Sequence, residues 1–247
     1  DIRFISNLSY KKYSKKSLVG KLNNLFKTKR FDYYDDYIKV NARVHDHLKT
    51  EKNLKFSEKY ITFVDTNLEH DTKVEYEGKF SKGHIKEYYN RLNNYLKNLK
   101  KTFKKKVVVC VHPNPNYTLS ESKKLFKTFK VVKFQTNHYV RNGYIIVGFS
   151  SSVFVDAIYY KKKIICLDSV LMGKHHNFTN NNYPKAVNVM LQNFDKEIII
   201  DKKRLIKDLN NRIKNYDKYI KGKIMVDGNN IGVEKISRIL QKKYYII

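Results

Sequence analysis

The sequence predicts an α/β protein built on a Rossmann-like, doubly wound parallel sheet. From about residue 57 onward, short apolar runs alternate with amphipathic segments, which is the pattern of successive β-α-β units. The run KVVVCV (106–111) has no polar face, as expected for a strand that is buried on both sides. By contrast, HIKEYYNRLNNYLKNLKKTF (84–103) repeats apolar residues every three or four positions, which predicts a helix.

The same two patterns assign the remaining elements. Further strands are predicted at 61–65, 131–134, 143–149, 163–168 and 197–200. Further helices are predicted at 123–129, 150–160, 202–220 and 232–244. Residues 1–56 are polar, basic and weakly periodic, with one short amphipathic stretch at 18–26 and a strand-like segment within 32–40. We therefore predict one Rossmann-like domain at 57–247, preceded by a short linker or a partial N-terminal segment at 1–56.

The charge balance narrows the class of partner without naming one. The 247 residues include 51 Lys and Arg against 23 Asp and Glu, a formal net charge of +28 at pH 7. Such a field favours phosphate-bearing ligands, nucleic acid or an anionic membrane surface. Lysine, however, is enriched together with Asn, Ile, Tyr and Phe, the pattern of A/T-rich codons, so compositional drift is an alternative explanation. No apolar run approaches the ~18 residues that a membrane-spanning helix requires.

Metal chemistry is not predicted. The eight histidines and two cysteines form no HExxH or CxxC-type cluster, and the chain has no Asp-x-Asp motif. Cys110 and Cys166 each lie inside an apolar run, which is typical of small buried side chains. Two unpaired thiols fit a reducing, cytoplasmic compartment.

Ligands of doubly wound sheets bind beyond the carboxyl ends of the strands, so the loops that leave those ends are the candidate sites. The first loop follows KVVVCV and contains His112, Pro113 and Asn114. Its prolines fix the backbone, and an imidazole held there could offer an N–H donor to a phosphate. The alternative is that His112 merely caps the strand and the prolines end it.

The second loop joins the strand at 143–149 to a helix and contains Ser150, Ser151 and Ser152. A helix N-terminus presents unpaired N–H groups and a partial positive charge, and serine hydroxyls add donors, so the loop could hold a phosphate. The alternative is ordinary N-capping, which needs only one serine. Asp65, at the end of the strand at 61–65, and Thr136 are candidate residues of the same cleft. The alternative for Asp65 is that its carboxylate caps the next turn.

The segments KVVVCVHPNPNY and FQTNHYVRNGYIIVGFSSSVFVDAIYYKKKIICLDS together resemble a known family. They look like the C-terminal half of bacterial surface-polysaccharide glycosyltransferases, the sialyltransferase-like capsule and lipooligosaccharide enzymes of the GT-B fold, which carry an HP motif and a serine motif. YITFVDTNLEHD is similar to the opening of that half in some members. The resemblance covers residues from about 57 to 190.

The resemblance implies a metal-independent transferase that moves a sugar, most often an acidic one linked to CMP, to a surface glycan acceptor. By position, His112, Pro113 and Asn114 would lie at the donor phosphate and nucleotide, with His112 stabilising the leaving group, and Ser150, Ser151 and Ser152 would hold the phosphate. Residues 1–56 would then be the tail of an N-terminal domain plus a linker, and that domain would supply the catalytic base. The enzyme would act at the cytoplasmic face of the membrane.

Three other functions remain open at this stage. A glycerophosphotransferase would use CDP-glycerol at the same loops. A basic nucleic-acid-binding protein would need no such loops, but the sequence shows no RRM, KH or zinc-finger signature. A peripheral membrane module would place its lysines against anionic lipid, which needs a helix with one lysine-rich and one apolar face. The segment 84–103 fits this loosely, and the alternative is that its apolar stripe packs on the sheet.

Overall fold

The structure is a computed structural model that describes residues 2–5, 36–39, 41, 45–46, 57–66, 68, 82–114, 116–172, 182–196, 198–225, 228 and 230–244. Contacts group residues 1–54 and 217–247 into one compact unit and residues 55–216 into another. The sequence analysis predicted one domain at 57–247. The contacts instead assign residues 217–247 to the same unit as residues 1–54.

The larger unit is organised around a six-stranded, wholly parallel sheet. Its strands are β3 (Tyr60–Val64), β4 (Lys106–Val111), β5 (Lys130–Lys133), β6 (Gly143–Gly148), β7 (Lys163–Asp168) and β8 (Met190–Asn193). The spatial order is β5-β4-β3-β6-β7-β8. This is the Rossmann order, in which the chain winds outward from β3 in one direction and then outward from β6 in the other. The predicted fold class is confirmed.

Helices cover both faces of this sheet. On one face lie α1 (Lys82–Phe103) and α2 (Leu119–Leu125), and on the other lie α3 (Thr136–Arg141) and α4 (Val153–Tyr159). Two further helices complete the unit, α5 (Asn182–Val187) and α6 (Lys202–Ile213). Leu205 and Leu209 of α6 pack into the same core as α1.

Side chains of β3 alternate between the two faces of the sheet, so this strand packs against the helices on both sides. Ile61 and Phe63 of β3 are fully buried in the core beneath α1. The hydroxyl of Thr62 points the other way and donates to the backbone oxygen of Tyr139 in α3, at 2.7 Å. Each fully buried apolar side chain of this kind contributes roughly 1.5–3 kcal/mol, so a central strand buried on both faces is a large part of the stability.

The smaller unit contains a two-stranded parallel sheet of β1 (Ile2–Ile5) and β2 (Asp36–Lys39). Its C-terminal helix α8 (Gly232–Tyr244) follows the short helix α7 (Tyr216–Tyr219), which spans the boundary between the units, and a π-helical turn at Ile220–Ile224. The carboxylate of Asp46 accepts the backbone N–H groups of Gly232 and Val233, at 2.9 and 3.2 Å. Asp46 therefore caps α8 across 186 residues of sequence.

Several predicted elements need correction. The strand predicted at 197–200 is wrong: residues 198–200 are not a strand, and the edge strand is β8, which no apolar run indicated. The helix predicted at 123–129 begins earlier, as α2, because Thr118 and Glu121 form a capping box. The helix predicted at 202–220 ends at Ile213, and the first helical residue after the serine loop is Val153. The stretch at 18–26 lies outside the described residues.

No helix among the described residues combines the length and the apolar character that crossing a membrane requires.

Candidate functional site

The three loops singled out from the sequence leave three neighbouring strands at the same edge of the sheet. Val64, the last residue of β3, is paired with Cys110 of β4 on one side and with Gly148 of β6 on the other. The order of the sheet reverses between β3 and β6, and this switch point is where ligands of doubly wound sheets bind. The His112 loop and the serine loop therefore flank the end of β3.

The strand order also sets the distance between those two loops. Because β3 lies between β4 and β6, the ends of these two strands are two inter-strand spacings apart, about 10 Å. A ligand that contacts both loops must extend over the end of β3. This geometry suits a molecule longer than a single phosphate group, such as a nucleotide.

His112 is exposed at the end of β4, and its ring orientation is fixed by its own loop. The backbone N–H of Asn114 donates to Nδ1 of His112 at 3.2 Å. Since Nδ1 accepts this hydrogen bond, the neutral ring carries its proton on Nε2. His112 therefore presents an N–H donor to solvent at the carboxyl edge.

The His112 loop is held by a lysine that the sequence analysis did not identify. The ammonium of Lys133, the last residue of β5, donates to the backbone oxygens of Asn114 and Tyr117 at 2.9 and 2.8 Å. Within the loop, the side-chain oxygen of Asn114 accepts the N–H of Asn116 at 2.9 Å. These bonds leave the loop little freedom. The sequence feature that could have indicated this role is the position of Lys133 at the end of the strand next to β4.

The serine loop uses most of its nearby hydrogen-bonding capacity internally. The N–H of Val153 donates to Oγ of Ser151 at 3.3 Å, so one serine serves as a local cap. The N–H groups of Phe154 and Val155 donate to the backbone oxygens of Ser151 and Ser152, each at 3.0 Å. Ser152 is exposed and makes no side-chain cap hydrogen bond. Hydroxyl groups, rather than these helix N–H groups, are thus what the loop offers to a ligand.

Gly148 allows the two strands at the switch point to approach closely. A Cβ at this position would lie 3.0 Å from the backbone oxygen of Val64, closer than ordinary contacts of a Cβ atom. The absence of a side chain therefore brings the start of the serine loop against the end of β3.

Asp65 follows β3 and lies beneath the two loops. Only 3% of it is exposed, and its backbone N–H donates to the oxygen of Cys110 at 3.0 Å. Burial, and next the negative charge of Asp65, raise the pKa of Tyr88, Tyr89 and Tyr117 well above the ordinary value for tyrosine. Neutral tyrosines thus surround the carboxylate. Asp65 hydrogen-bonds to the side chain of Tyr117 in the His112 loop. Because it is buried, it does not form the open surface of a cleft in this structure.

Thr136 occupies the opposite face of the sheet. It is the half-buried first residue of α3, and its side chain hydrogen-bonds to Cys110. Burial raises the pKa of the Cys110 thiol to about 12, and the bond to Thr136 partly offsets that rise. Asp65 extends toward the α1 face, in register with Phe63. The structure therefore does not bring Thr136 and Asp65 together.

A second carboxylate at this edge, Asp195, was also missed by sequence reasoning. It accepts bonds from Ser169 after β7, from the N–H of Val170 at 2.9 Å and from the side-chain amide of Asn193 at 2.8 Å, and it lies 3.5 Å from Arg91. Burial raises the pKa of Asp195, but these bonds and the charge of Arg91 outweigh burial and hold it below the ordinary value. Asp195 thereby ties the loops after β7 and β8 to α1.

Metal ligands are not grouped in the described part of the chain. No three His, Cys, Asp or Glu side chains lie close enough there to hold an ion.

Comparison with known proteins gives only distant likenesses of structure. No protein-family model matches the chain, and no curated protein matches it. An S. aureus MnaA–UDP co-structure matches with a TM-score of 0.46 and 15% identity over 93% of this chain. A protein described as a UDP-N-acetylglucosamine 2-epimerase from Listeria monocytogenes matches with a TM-score of 0.47 and 12% identity over 93%. A UDP-GlcNAc 2-epimerase from Methanocaldococcus jannaschii, in complex with UDP-GlcNAc and UDP, matches with a TM-score of 0.41 and 14% identity over 91%. The chain spans 58% or 59% of the length of these solved structures.

Proposed function

We propose that this chain binds a nucleotide-linked substrate across the carboxyl edge of its six-stranded sheet, as the donor-binding half of a metal-independent glycosyltransferase. The donor is a CMP-linked acidic sugar, and the acceptor is a surface glycan. The observation that carries the proposal is the position of the His112 loop and the serine loop on either side of the end of β3, at the switch point.

The spacing of the loops favours an extended ligand. With about 10 Å between the ends of β4 and β6, the donor phosphate would lie over the end of β3, where side chains of both loops could reach it, and the nucleoside would extend along the His112 loop. The serine loop suits the phosphate, because Ser152 is exposed and free of capping. The resemblance to the HP and serine motifs of sialyltransferase-like enzymes supports the same arrangement.

His112 would act on the leaving group. As the bond between the sugar and the phosphate oxygen breaks, that oxygen keeps the electron pair and the nucleotide gains negative charge. The Nε2–H of His112, fixed in direction by the bond from Asn114 to Nδ1, would donate to this charge. A preorganised donor of this kind commonly lowers the transition-state energy by ~2.7–4 kcal/mol. The acceptor hydroxyl would form the new bond and lose its proton to a base, for which the described residues suggest no candidate.

The donor class is testable by calorimetry with the purified chain. CMP and a CMP-linked acidic sugar form one arm, CDP-glycerol the second, and UDP with UDP-N-acetylglucosamine, the ligands named for two of the similar structures, the third. We expect the tightest binding in the first arm. Preferential binding of CDP-glycerol would replace the proposal with a glycerophosphotransferase, and preferential binding of UDP-N-acetylglucosamine would contradict the CMP-linked donor.

The role of His112 is testable in the same assay. We expect His112→Ala to weaken binding of the preferred nucleotide about tenfold to a hundredfold, the cost of one lost hydrogen bond to a charged group. His138→Ala, which removes another exposed imidazole from α3, is the matched control and should leave the affinity unchanged. Equal affinities of the two variants would remove His112 from the site. In the complete enzyme, turnover should fall a hundredfold or more with His112→Ala.

A further inference from the structure

A groove runs along α1 beside the C-terminal end of α2, and neither His112 nor a residue of the serine loop lines it. Its volume is about 590 Å³. Its lining combines four lysines, three asparagines, a threonine and a few largely buried side chains: Ile85, Lys86, Tyr89, Asn90, Asn93, Asn94, Lys97, Lys124, Leu125, Lys127 and Thr128. We call it the α1–α2 groove.

The charge of the α1–α2 groove is uniform. Lys86, Lys97, Lys124 and Lys127 are exposed, and among the described residues no carboxylate lines the groove. Among the described residues none of the four lysines forms an ion pair, in contrast to Arg91 on the neighbouring stripe of α1, which pairs with Glu87. Four like charges that converge on one concavity repel one another, and an anionic ligand would relieve this repulsion.

The dimensions of the groove suit a linear ligand. Lys86 and Lys97 lie three helical turns apart, about 16 Å along the axis of α1. The side-chain amide of Asn93 donates to the backbone oxygen of Leu125 at 2.9 Å and so fixes the distance between the two helices. Asn90, Asn94 and Thr128 add neutral donors and acceptors, which are suited to hydroxyl groups.

These features disfavour the two other common polyanionic partners. Stable binding of a helix at a lipid surface combines the attraction of lysines to anionic lipid with burial of exposed apolar side chains. The apolar residues of α1, such as Leu92 and Leu96, are instead fully buried against the sheet. Single-stranded nucleic acid binds through stacking on exposed aromatic rings, and the one aromatic residue of the groove, Tyr89, is only 3% exposed.

We infer that the α1–α2 groove binds a linear polyanionic glycan, a chain of sugars that carries a carboxylate or phosphate on successive units. As a statement about the acceptor, the inference rests on the proposed function. As a statement about binding, it stands on four lysines that form no ion pair with any described residue and on the hydroxyl-binding side chains between them.

The test is fluorescence anisotropy with labelled oligogalacturonate of about six units, a linear glycan with one carboxylate per sugar, and no nucleotide present. The variant K86Q/K97Q/K124Q/K127Q removes the four groove lysines. The matched control K100Q/K101Q/K202Q/K203Q removes four exposed lysines from α1 and α6 outside the groove, so both variants lower the net charge equally. Circular dichroism verifies that both fold.

We expect the groove variant to bind roughly tenfold more weakly or worse, since four exposed ion pairs each contribute a few-fold, while the control changes less than twofold. Uncharged maltohexaose should not compete. Equal loss in both variants would overturn the inference in favour of diffuse charge. Loss of binding to anionic vesicles or to an oligonucleotide, with oligogalacturonate unaffected, would also overturn it. Nucleotide calorimetry on the groove variant reports the proposed function separately, because none of the four substituted lysines belongs to the His112 loop or to the serine loop.

Discussion

The carboxyl edge of the sheet and the α1–α2 groove differ most in how they use charge. At the edge, the side chains offered to a ligand are an imidazole and serine hydroxyls, and Lys133 donates to loop carbonyls instead of facing solvent. In the groove, four lysines face solvent, and no carboxylate lies among them in the part of the chain that the structure describes. The lysines that contribute to the net charge of +28 therefore have different roles in the two regions. Fixed loops at the edge can select a ligand by shape, whereas the groove recognises a ligand mainly through its negative charge.

The largest expected effect comes from Phe63, which supports both regions. Its ring packs against Phe126 at the end of α2 and against Phe149 at the start of the serine loop, with centroids 5.9 and 6.4 Å apart. We expect Phe63→Ala to lower the free energy of unfolding by about 3–5 kcal/mol and to weaken binding in both regions. Chemical denaturation measures the first effect. Phe134→Ala, which removes a ring that is 76% exposed, should change stability little, and a similar loss in the two variants would contradict the packing described for β3.

A substitution at Gly148 should disturb the carboxyl edge of the sheet without disturbing the α1–α2 groove. We expect Gly148→Val to cost about 1–3 kcal/mol of unfolding free energy, because the new side chain collides with the backbone of Val64. Nucleotide binding should weaken strongly while oligogalacturonate binding at the α1–α2 groove persists. If calorimetry and anisotropy show both ligands affected alike, the two regions are not independent.

Lys133 tests whether the His112 loop must be rigid. We expect Lys133→Met to cost about 1–2 kcal/mol, since the two bonds from a charged donor are partly exposed to solvent, and to weaken nucleotide binding several-fold. Lys106→Met, at the opposite end of the neighbouring strand, removes an equal charge and should leave both values unchanged. An intact affinity in Lys133→Met would mean that the loop keeps its shape without the clamp.

The smallest expected effect is a pH dependence at Asp195. Its pKa is lowered in the folded chain from a reference value of 3.8, so its stabilising contribution is complete above that value and is lost as the pH falls through the lowered pKa. Asp195→Asn should therefore flatten the acid limb of stability below about pH 4. Urea unfolding at pH 7 and at pH 3 measures this, and parallel acid losses in Asp195→Asn and the parent chain would exclude the assignment.

Local sequence patterns predicted the buried strands of the sheet and the C-terminal helix well. The strands 106–111 and 163–168 and the helix 232–244 are confirmed to the residue, because continuous apolar runs and helical periodicity are local signals. The edge strand β8 has alternating exposure and no apolar run, so it carries no such signal. The more apolar segment EIII (197–200) was predicted as a strand instead, although it follows β8 in the chain.

The candidate site was predictable only in part, for a related reason. The carboxyl-end rule placed His112 and the serines at one edge from the sequence alone. Local patterns do not show that β3 lies between the strand that precedes His112 and the strand that precedes the serines. This order results from pairing between residues that are far apart in the sequence. The roles of Lys133 and Asp195 likewise depend on loops that lie 16 or more residues away, beyond the reach of any local pattern.

The most direct test of the nucleotide site is to map the backbone amide shifts of the isotope-labelled chain during titration with CMP. We expect the largest shifts at Asp65, Asn114 and Ser150–Ser152, with the amides of Lys86, Lys97 and Lys124 unchanged. Shifts centred on the α1–α2 groove, with the carboxyl edge unaffected, would contradict the assignment of the nucleotide to the end of β3.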